Sequence, residues 1–426
     1  MAIAGVVVAA AGAWALLRAP YLLAFATLAC VPVRIPVQLG DEDANLLLPL
    51  YVVVGSLAGA LGWQLVVRRE RRHRELGQIA VPLAAFVAWT GLTLLWAVDL
   101  REGSIFVGAF VLPFGLLALG FARLPWRGRF ITWLWVALVG TALVYASIGV
   151  YQWVTRDVFW NPKVIVGNAY APFFRVNSIF WDPSIYGRYL TVGVLTALAG
   201  ILLGGVRGWK LAGLYGVVAA MWVGLFFSFS QSSFVALAAG VFVAAVVVWG
   251  RSTVVVAAVV MLLLALGSLA VPQVRHRVEA KSRSGVDSVT SDRATLVGQG
   301  LRIAVAHPLG GVGAGGFRRA YAERTGLPGK RPKKAASHTT PVTVAAEEGL
   351  PGLVLFGWLC VAALLAALRG LGRGFTSRVS FAVGLTLVAI IVHSFFYNAL
   401  FEDPVTWAML GLVGLAVSVP RKVATT

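Results

Sequence analysis

Charge is scarce in this chain: 12% of its 426 residues are Asp, Glu, Lys or Arg, against about 25% in soluble domains. That shortage excludes an ordinary soluble domain, and the 59% apolar content excludes a disordered one. Cysteine is nearly absent. Cys30 and Cys360 both stand inside apolar runs, which excludes a secreted disulfide scaffold and reads as buried thiols, not redox or metal chemistry. Residues 2–17 lack the basic n-region and small-residue cleavage site of a secretory leader, so they are read as a span. No long internal repeat, heptad or low-complexity tract is present. Acidic residues are few beside basic ones, 17 against 36, and the resulting formal charge of +19 has to be located.

What is abundant is apolar sequence. Runs at 2–17, 21–33, 46–67, 77–97, 105–122, 130–154, 186–206, 211–228, 232–250, 253–271, 343–368, 379–399 and 404–419 approach or exceed the length that crosses a bilayer, about 20 residues. The expected fold is all-α: one polytopic membrane domain over residues 1–426 with 12–13 transmembrane helices, Arg18-Ala19-Pro20 being either a hairpin or a kink. Lys and Arg concentrate in short cytoplasmic loops. Arg68–Arg74, Arg123/Arg127/Arg129, Arg207/Lys210, Arg251, Arg369/Arg373/Arg378 and Arg421/Lys422 fall on one side by parity, and Asp41–Asp43, Asp99/Glu102 and Glu402/Asp403 on the other. Two longer segments, 155–185 and 272–342, also face outward by this count.

The second of these is the anomaly. It carries thirteen basic and four acidic residues, on the side where basic charge does not serve orientation. Attraction to phosphate-bearing lipids or sugars accounts for it, with a solvated surface as the plain alternative for Lys330–Lys334. Within it, residues 293–306 place Leu296, Val297, Leu301, Ala304 and Val305 near one helical face, as for a helix lying on the membrane-embedded body, and a second short helix is expected at 317–325.

Between them, Gly310–Phe317 has neither a preceding strand nor a terminal Gly-Lys-Ser/Thr, so a nucleotide loop gives way to a turn with close backbone approach. Of the five histidines, only His338 lies in a polar segment that at once re-enters an apolar run. Glu347 and Glu348 follow on the same helix, about 13–15 Å along its axis at 1.5 Å per residue, too far to hold the imidazole. Residues 155–185 are dense in aromatics (Phe159, Trp160, Tyr170, Phe173, Phe174, Phe180, Trp181) and read either as interfacial anchors or as a platform for sugar faces or a polyprenyl tail.

Three segments in order carry a resemblance. Pro308-Leu309-Gly310-Gly311-Val312-Gly313-Ala314-Gly315-Gly316-Phe317, Ser337-His338-Thr339-Thr340 and Glu347-Glu348-Gly349-Leu350-Pro351-Gly352-Leu353 resemble the signature of the O-antigen ligase and O-antigen polymerase superfamily. Upstream, Arg175–Ser184 and Phe227–Ser233 are similar to two further motifs of that superfamily, so the resemblance covers residues ~170–420. The departures are Thr339 for Asn, Ser178 for Gly and Gln231 for Arg.

The resemblance implies a metal-independent, cofactor-free membrane glycosyltransferase of the GT-C-like class at the outer face of the bacterial cytoplasmic (inner) membrane, in surface polysaccharide or lipopolysaccharide assembly. Its donor would be a glycan on undecaprenyl pyrophosphate, its acceptor a glycolipid or glycan hydroxyl, with membrane lipids around it and no nucleic acid or nucleotide involved. In this chain the general base would be His338, because a sugar hydroxyl needs its proton taken and an imidazole titrates in the right range. Arg175 and Arg293 would hold the pyrophosphate as guanidinium forks. Arg188 joins them from near the outer end of a span, with an ion pair to Asp182 as the structural alternative. Glu347, Glu348, Asp182, Tyr186 and Gln231 are supporting positions, the carboxylates orienting an arginine or capping the loop.

A ligase and a repeat-unit polymerase share donor and fold; the basic external segment favours the ligase by suiting a phosphorylated acceptor. Two other readings stand beside these. Asp41-Glu42-Asp43 is spaced to share a divalent cation, and many spans with buried arginine would also serve a lipid-linked sugar transporter, although no inverted repeat is present.

Overall fold

The computed structural model describes residues 2–39, 42–69, 75–125, 128–170, 173–250, 252–256, 293–326, 337–369 and 375–418. Most of the expected run 253–271, the Lys330–Lys334 cluster and Asp41 lie outside these residues, as do the side chains of Glu42, Asp43 and Arg293.

The protein is an all-α membrane bundle. Every other expected apolar run carries helix: α1 Ala2–Arg18, α2 Leu22–Cys30, α3 Leu48–Val66, α4 Ala80–Leu92, α5 Leu100–Phe106 continuing into α6 Leu112–Ala122, and α7 Gly128–Thr155. A short α8 Pro162–Tyr170 precedes α9 Pro183–Leu203, α10 Trp209–Ser228 and α11 Gln231–Trp249. Two helices of the late loop follow, α12 Arg293–Ala306 and α13 Phe317–Arg324, then α14 Thr340–Arg369, α15 Phe375–Ser394 and α16 Pro404–Ser418. Among the described residues, eight helical stretches are long and apolar enough to cross a membrane. The break at residues 19–21 makes α1 and α2 separate helices that both pack on α3.

Helix α9 is the centre. Its most apolar window is 78% buried against 28% for α10, and it touches α7, α10, α11 and α15. It begins three residues earlier than hydropathy places it because Asp182 caps it, accepting from Ser184 N–H at 2.6 Å, with Pro183 in the first turn where no N–H is required. Small residues let its neighbours approach: a Cβ on Gly187 would lie 2.7 Å from Ser233 Oγ of α11, and one on Gly193 would reach the Met221 sulfur of α10 at 3.1 Å.

One element departs from an all-helical reading. Residues Ile35–Leu39 (β1) and Glu42–Leu46 (β2) pair as an antiparallel hairpin between α2 and α3, with Pro36 opposite Asn45. Arg34 at its base ties it to the α15–α16 connection, Nη2 donating to the Glu402 carbonyl at 2.9 Å and Nη1 lying 3.5 Å from the Glu402 carboxylate.

In the late loop, α12 and α13 fall where the sequence places them, but α12 turns a different face inward. Leu296, Gly300 and Ile303 are buried, while Leu301 and Val305 are exposed at 49% and 79%. The reason is Gly300: a Cβ there would meet Val342 Cγ1 at 2.5 Å and the Phe317 ring at 3.1 Å, so bare backbone forms the contact that apolar side chains were expected to make.

Candidate functional site

The Gly-rich segment and α14 are built as one unit. Helix α14 is interrupted at Gly349, whose φ of 70° and ψ of −170° break the helical hydrogen-bond pattern. Inside an apolar bundle, backbone groups freed in this way must find partners. They do: Val312 N–H donates to the Ala346 carbonyl at 3.0 Å, Gly313 N–H to Glu347 at 2.8 Å, Trp89 Nε1 to Glu348 at 2.9 Å, and Leu350 N–H to Pro308 at 2.7 Å. The glycines are needed for the approach as well as for conformation. Gly311 and Gly315 have φ of 63° and 73°, and a Cβ on either would land against the backbone of Glu347–Glu348 or of Glu102–Gly103. The turn with close backbone approach is therefore what the segment forms.

Glu347 closes the unit. Its carboxylate accepts from Gly315 N–H (3.0 Å) and Phe317 N–H (3.1 Å), the second at the start of α13, so of its expected roles the geometry supplies loop capping. Glu348 accepts from Thr90 Oγ1 at 3.1 Å on α4.

His338 stands just before α14 in a left-handed conformation, φ 58°, which a non-glycine residue adopts only when its surroundings hold it there. Ser337 supplies part of the hold, donating to the Thr339 carbonyl at 2.7 Å and accepting from Thr339 N–H at 3.2 Å. His338 is half-buried, and Thr340, two residues on, lines a cavity of about 170 Å³ with Glu102, Thr343, Glu347, Asn398 and Glu402. That wall is acidic. Its carboxylate oxygens can accept from hydroxyl groups.

The basic candidates are held by other partners. Arg175 donates from Nε to the Ser228 carbonyl at the end of α10 (3.1 Å), and its segment is held there by Val176 N–H donating to the Phe227 carbonyl. From Ser228 a polar chain runs inward: Ser230 N–H donates to Ser228 Oγ (3.2 Å), Ser230 and Ser232 hydroxyls meet at 3.2 Å, and Ser232 Oγ lies 3.0 Å from His393 Nε2 of α15. His393 is fully buried beside Ser184, and its Nδ1 makes no hydrogen bond of good geometry among the described residues.

Arg188, one turn along α9 from Ser184, is 3% exposed. Its partner is not Asp182, which is occupied in capping α9, but Asp403: Nε lies 3.1 Å from Oδ2, and Nη1 donates to the Ala399 carbonyl at 3.3 Å. The pairing to Asp182 was the sequence-adjacent choice; the fold brings Asp403 there from the start of α16, whose Val405 N–H it also caps at 3.2 Å. Nη2 of Arg188 is buried with no hydrogen-bond partner among the described residues. Tyr186 is fully buried against Gly224, and Gln231 is exposed at the first position of α11. Arg293 opens α12.

His393 and Asp403 belong to the buried polar cluster around Arg188, and the sequence reading does not single them out. The available signal was an ionisable residue inside an apolar run, which defaults to a functional reading, and the Asp403-Pro404 pair, a helix start in its own right.

The class is thus a polytopic helical membrane protein whose broken α14 is clamped by a glycine-rich loop, with the Arg188–Asp403 pair and the acid-lined cavity meeting at Ala399. Residues 216–357 match the family model described as O-Antigen ligase, which agrees with the resemblance carried by the Gly-rich, histidine and Glu347–Leu353 segments. No curated protein matches. Among solved structures, a chain described under "Structural coordination of polymerization and crosslinking by a peptidoglycan synthase complex" is similar at 20% identity and a TM-score of 0.46, over 80% of this chain and 96% of that one. That likeness is too distant to bring any chemistry with it.

Proposed function

We propose that this protein transfers a glycan from undecaprenyl pyrophosphate to an acceptor sugar hydroxyl at the outer face of the bacterial cytoplasmic membrane, by a single inverting displacement without a metal. The observation that carries this reading is the O-antigen ligase match over residues 216–357, which contains the Gly-rich loop, His338 and Glu347. In this reading the two halves of the chemistry meet at one anomeric carbon. The acceptor hydroxyl enters the acid-lined cavity beside Thr340, and His338 takes its proton. Its oxygen bonds to the anomeric carbon while the bond from that carbon to the pyrophosphate oxygen breaks. The leaving pyrophosphate takes the electron pair, and its charge is met by Arg175, Arg188 and Arg293.

The acceptor is a lipid-linked core sugar in the ligase form and another repeat unit in the polymerase form. Purified protein given donor lipid with each acceptor separately distinguishes them: one product per lipid-core acceptor supports the ligase, and a ladder without that acceptor supports the polymerase. His338→Ala is expected to lower transfer at least a hundredfold, more than any loss of folded protein in the variant accounts for. Wild-type turnover in that variant would remove His338 as the base. Full activity in chelator is the expected result against a cation at Asp41–Asp43, and covalent product is the expected result against a transporter.

A further inference from the structure

A second, larger cavity lies beside the acid-lined one. It measures about 540 Å³, within the roughly 300–1,000 Å³ of small-molecule sites, and is walled by Arg34 and Asn45 on one side and Trp160, Asn161, Lys163 and Trp181 on the other. The hairpin supplies the first wall, and the segment around α8 the second. Neither wall is loose. Asn161 clips the aromatic side together, donating from Nδ2 to the Trp181 carbonyl and accepting Lys163 N–H at 2.9 Å. Arg34 is spent on Glu402.

Three properties define what fits. Two indoles offer flat apolar faces, and Trp160 remains 48% exposed despite lining the cavity. Asn45 lines the cavity, and its buried Oδ1 has no hydrogen-bond partner among the described residues, an acceptor that a turn of the side chain would bring to an O–H or N–H. Lys163 puts an ammonium on the rim. Apolar ring faces, hydroxyl or amide donors and an acidic substituent coincide in a saccharide. An acyl chain offers nothing to the Asn45 amide or the Lys163 ammonium of the lining residues.

Glu402 joins the two cavities: it lines the acid-lined one and is bound by Arg34, which lines this one. We infer that the cleft between the β1–β2 hairpin and the Trp160–Trp181 segment is a saccharide subsite that holds the acceptor glycan, a short distance along the chain from the reacting hydroxyl. The assignment of acceptor and not donor rests on the proposed function; the binding of saccharide does not.

The test uses the full chain in lipid nanodiscs and lipid-free core oligosaccharide as the probe. Saturable change in tryptophan fluorescence is expected, weakened about tenfold, or 1.4 kcal/mol, in Trp160→Ala and about threefold in Asn45→Ala. In transfer assays both variants are expected to raise the acceptor KM by the same factors while kcat stays within about twofold and the donor KM is unchanged. Unchanged acceptor KM and unchanged binding in Trp160→Ala would overturn the subsite. So would quenching by brominated phospholipid that oligosaccharide does not relieve, which would make Trp160 a membrane anchor. Binding of free repeat-unit oligosaccharide in place of core oligosaccharide would overturn the acceptor assignment. If His338→Ala retained transfer, the proposed mechanism would fail while saturable, Trp160-dependent binding still stood, so the two failures are distinguishable.

Discussion

On α14, Glu347 gives both carboxylate oxygens to backbone N–H groups of a loop that exists to receive them, whereas on α9 Arg188 pairs with Asp403 and Ala399 and still keeps Nη2 without a hydrogen-bond partner among the described residues. Both are buried in apolar surroundings where an unsatisfied group is costly. The difference separates two uses of burial. A carboxylate whose donors all come from the backbone is a structural clamp, and its loss reads out as instability. A guanidinium with a donor that no described residue accepts, near a buried histidine, is polar capacity left over among the described residues. Water or a ligand is the natural occupant of such capacity.

The sharpest way to break that contrast is at Arg188. Arg188→Met leaves the Asp403 carboxylate buried and unpaired and is expected to cost about 3–5 kcal/mol, read as a fall in thermal midpoint of the detergent-solubilised protein. Adding Asp403→Asn, which can still cap α16, should recover most of that stability without recovering transfer. Recovery of transfer would mean that Arg188 only balances Asp403. Next in size is Glu347→Gln. One oxygen remains to accept, one N–H of the Gly315–Phe317 pair is orphaned, and a loss of about 1–3 kcal/mol is expected. If the clamp reading holds, transfer by the folded fraction survives; a stable but inactive Glu347→Gln would instead place the carboxylate in the chemistry.

The helices could be read from the sequence because hydropathy is a one-body property: each residue votes for lipid or water without knowing its neighbours in space. The Gly-rich segment could be read as a turn because the nucleotide-loop companions were missing. Pairings were less legible. Arg188 and Asp403 lie far apart in the chain and meet only because α9 is the hub, so Asp182, six residues away, was the nearest candidate. The inward face of α12 was misjudged because Gly300 contributes nothing to an apolar count yet makes the closest approach to Phe317 and Val342. The hairpin went unseen because two five-residue strands, one opening with three charged or amide residues out of four, give no alternating apolar pattern. Reading Trp160 and Trp181 as anchors or platform required knowing which tryptophans share a cavity, and sequence spacing does not say.

Smaller substitutions sharpen the comparison around His393. Ser232→Ala removes the partner of a buried imidazole nitrogen and is expected to cost about 1 kcal/mol, less than either change above because only neutral hydrogen bonds, to His393 and Ser230, are lost. Its neighbour Gln231 is exposed at the start of α11, close in sequence to the same serines. Gln231→Ala should therefore leave stability within about 0.5 kcal/mol. That makes it the cleanest probe of whether the end of α11 touches substrate: a fall in transfer there has no folding explanation, and an unchanged rate would confine the contribution of this segment to the buried Ser230–Ser232–His393 chain.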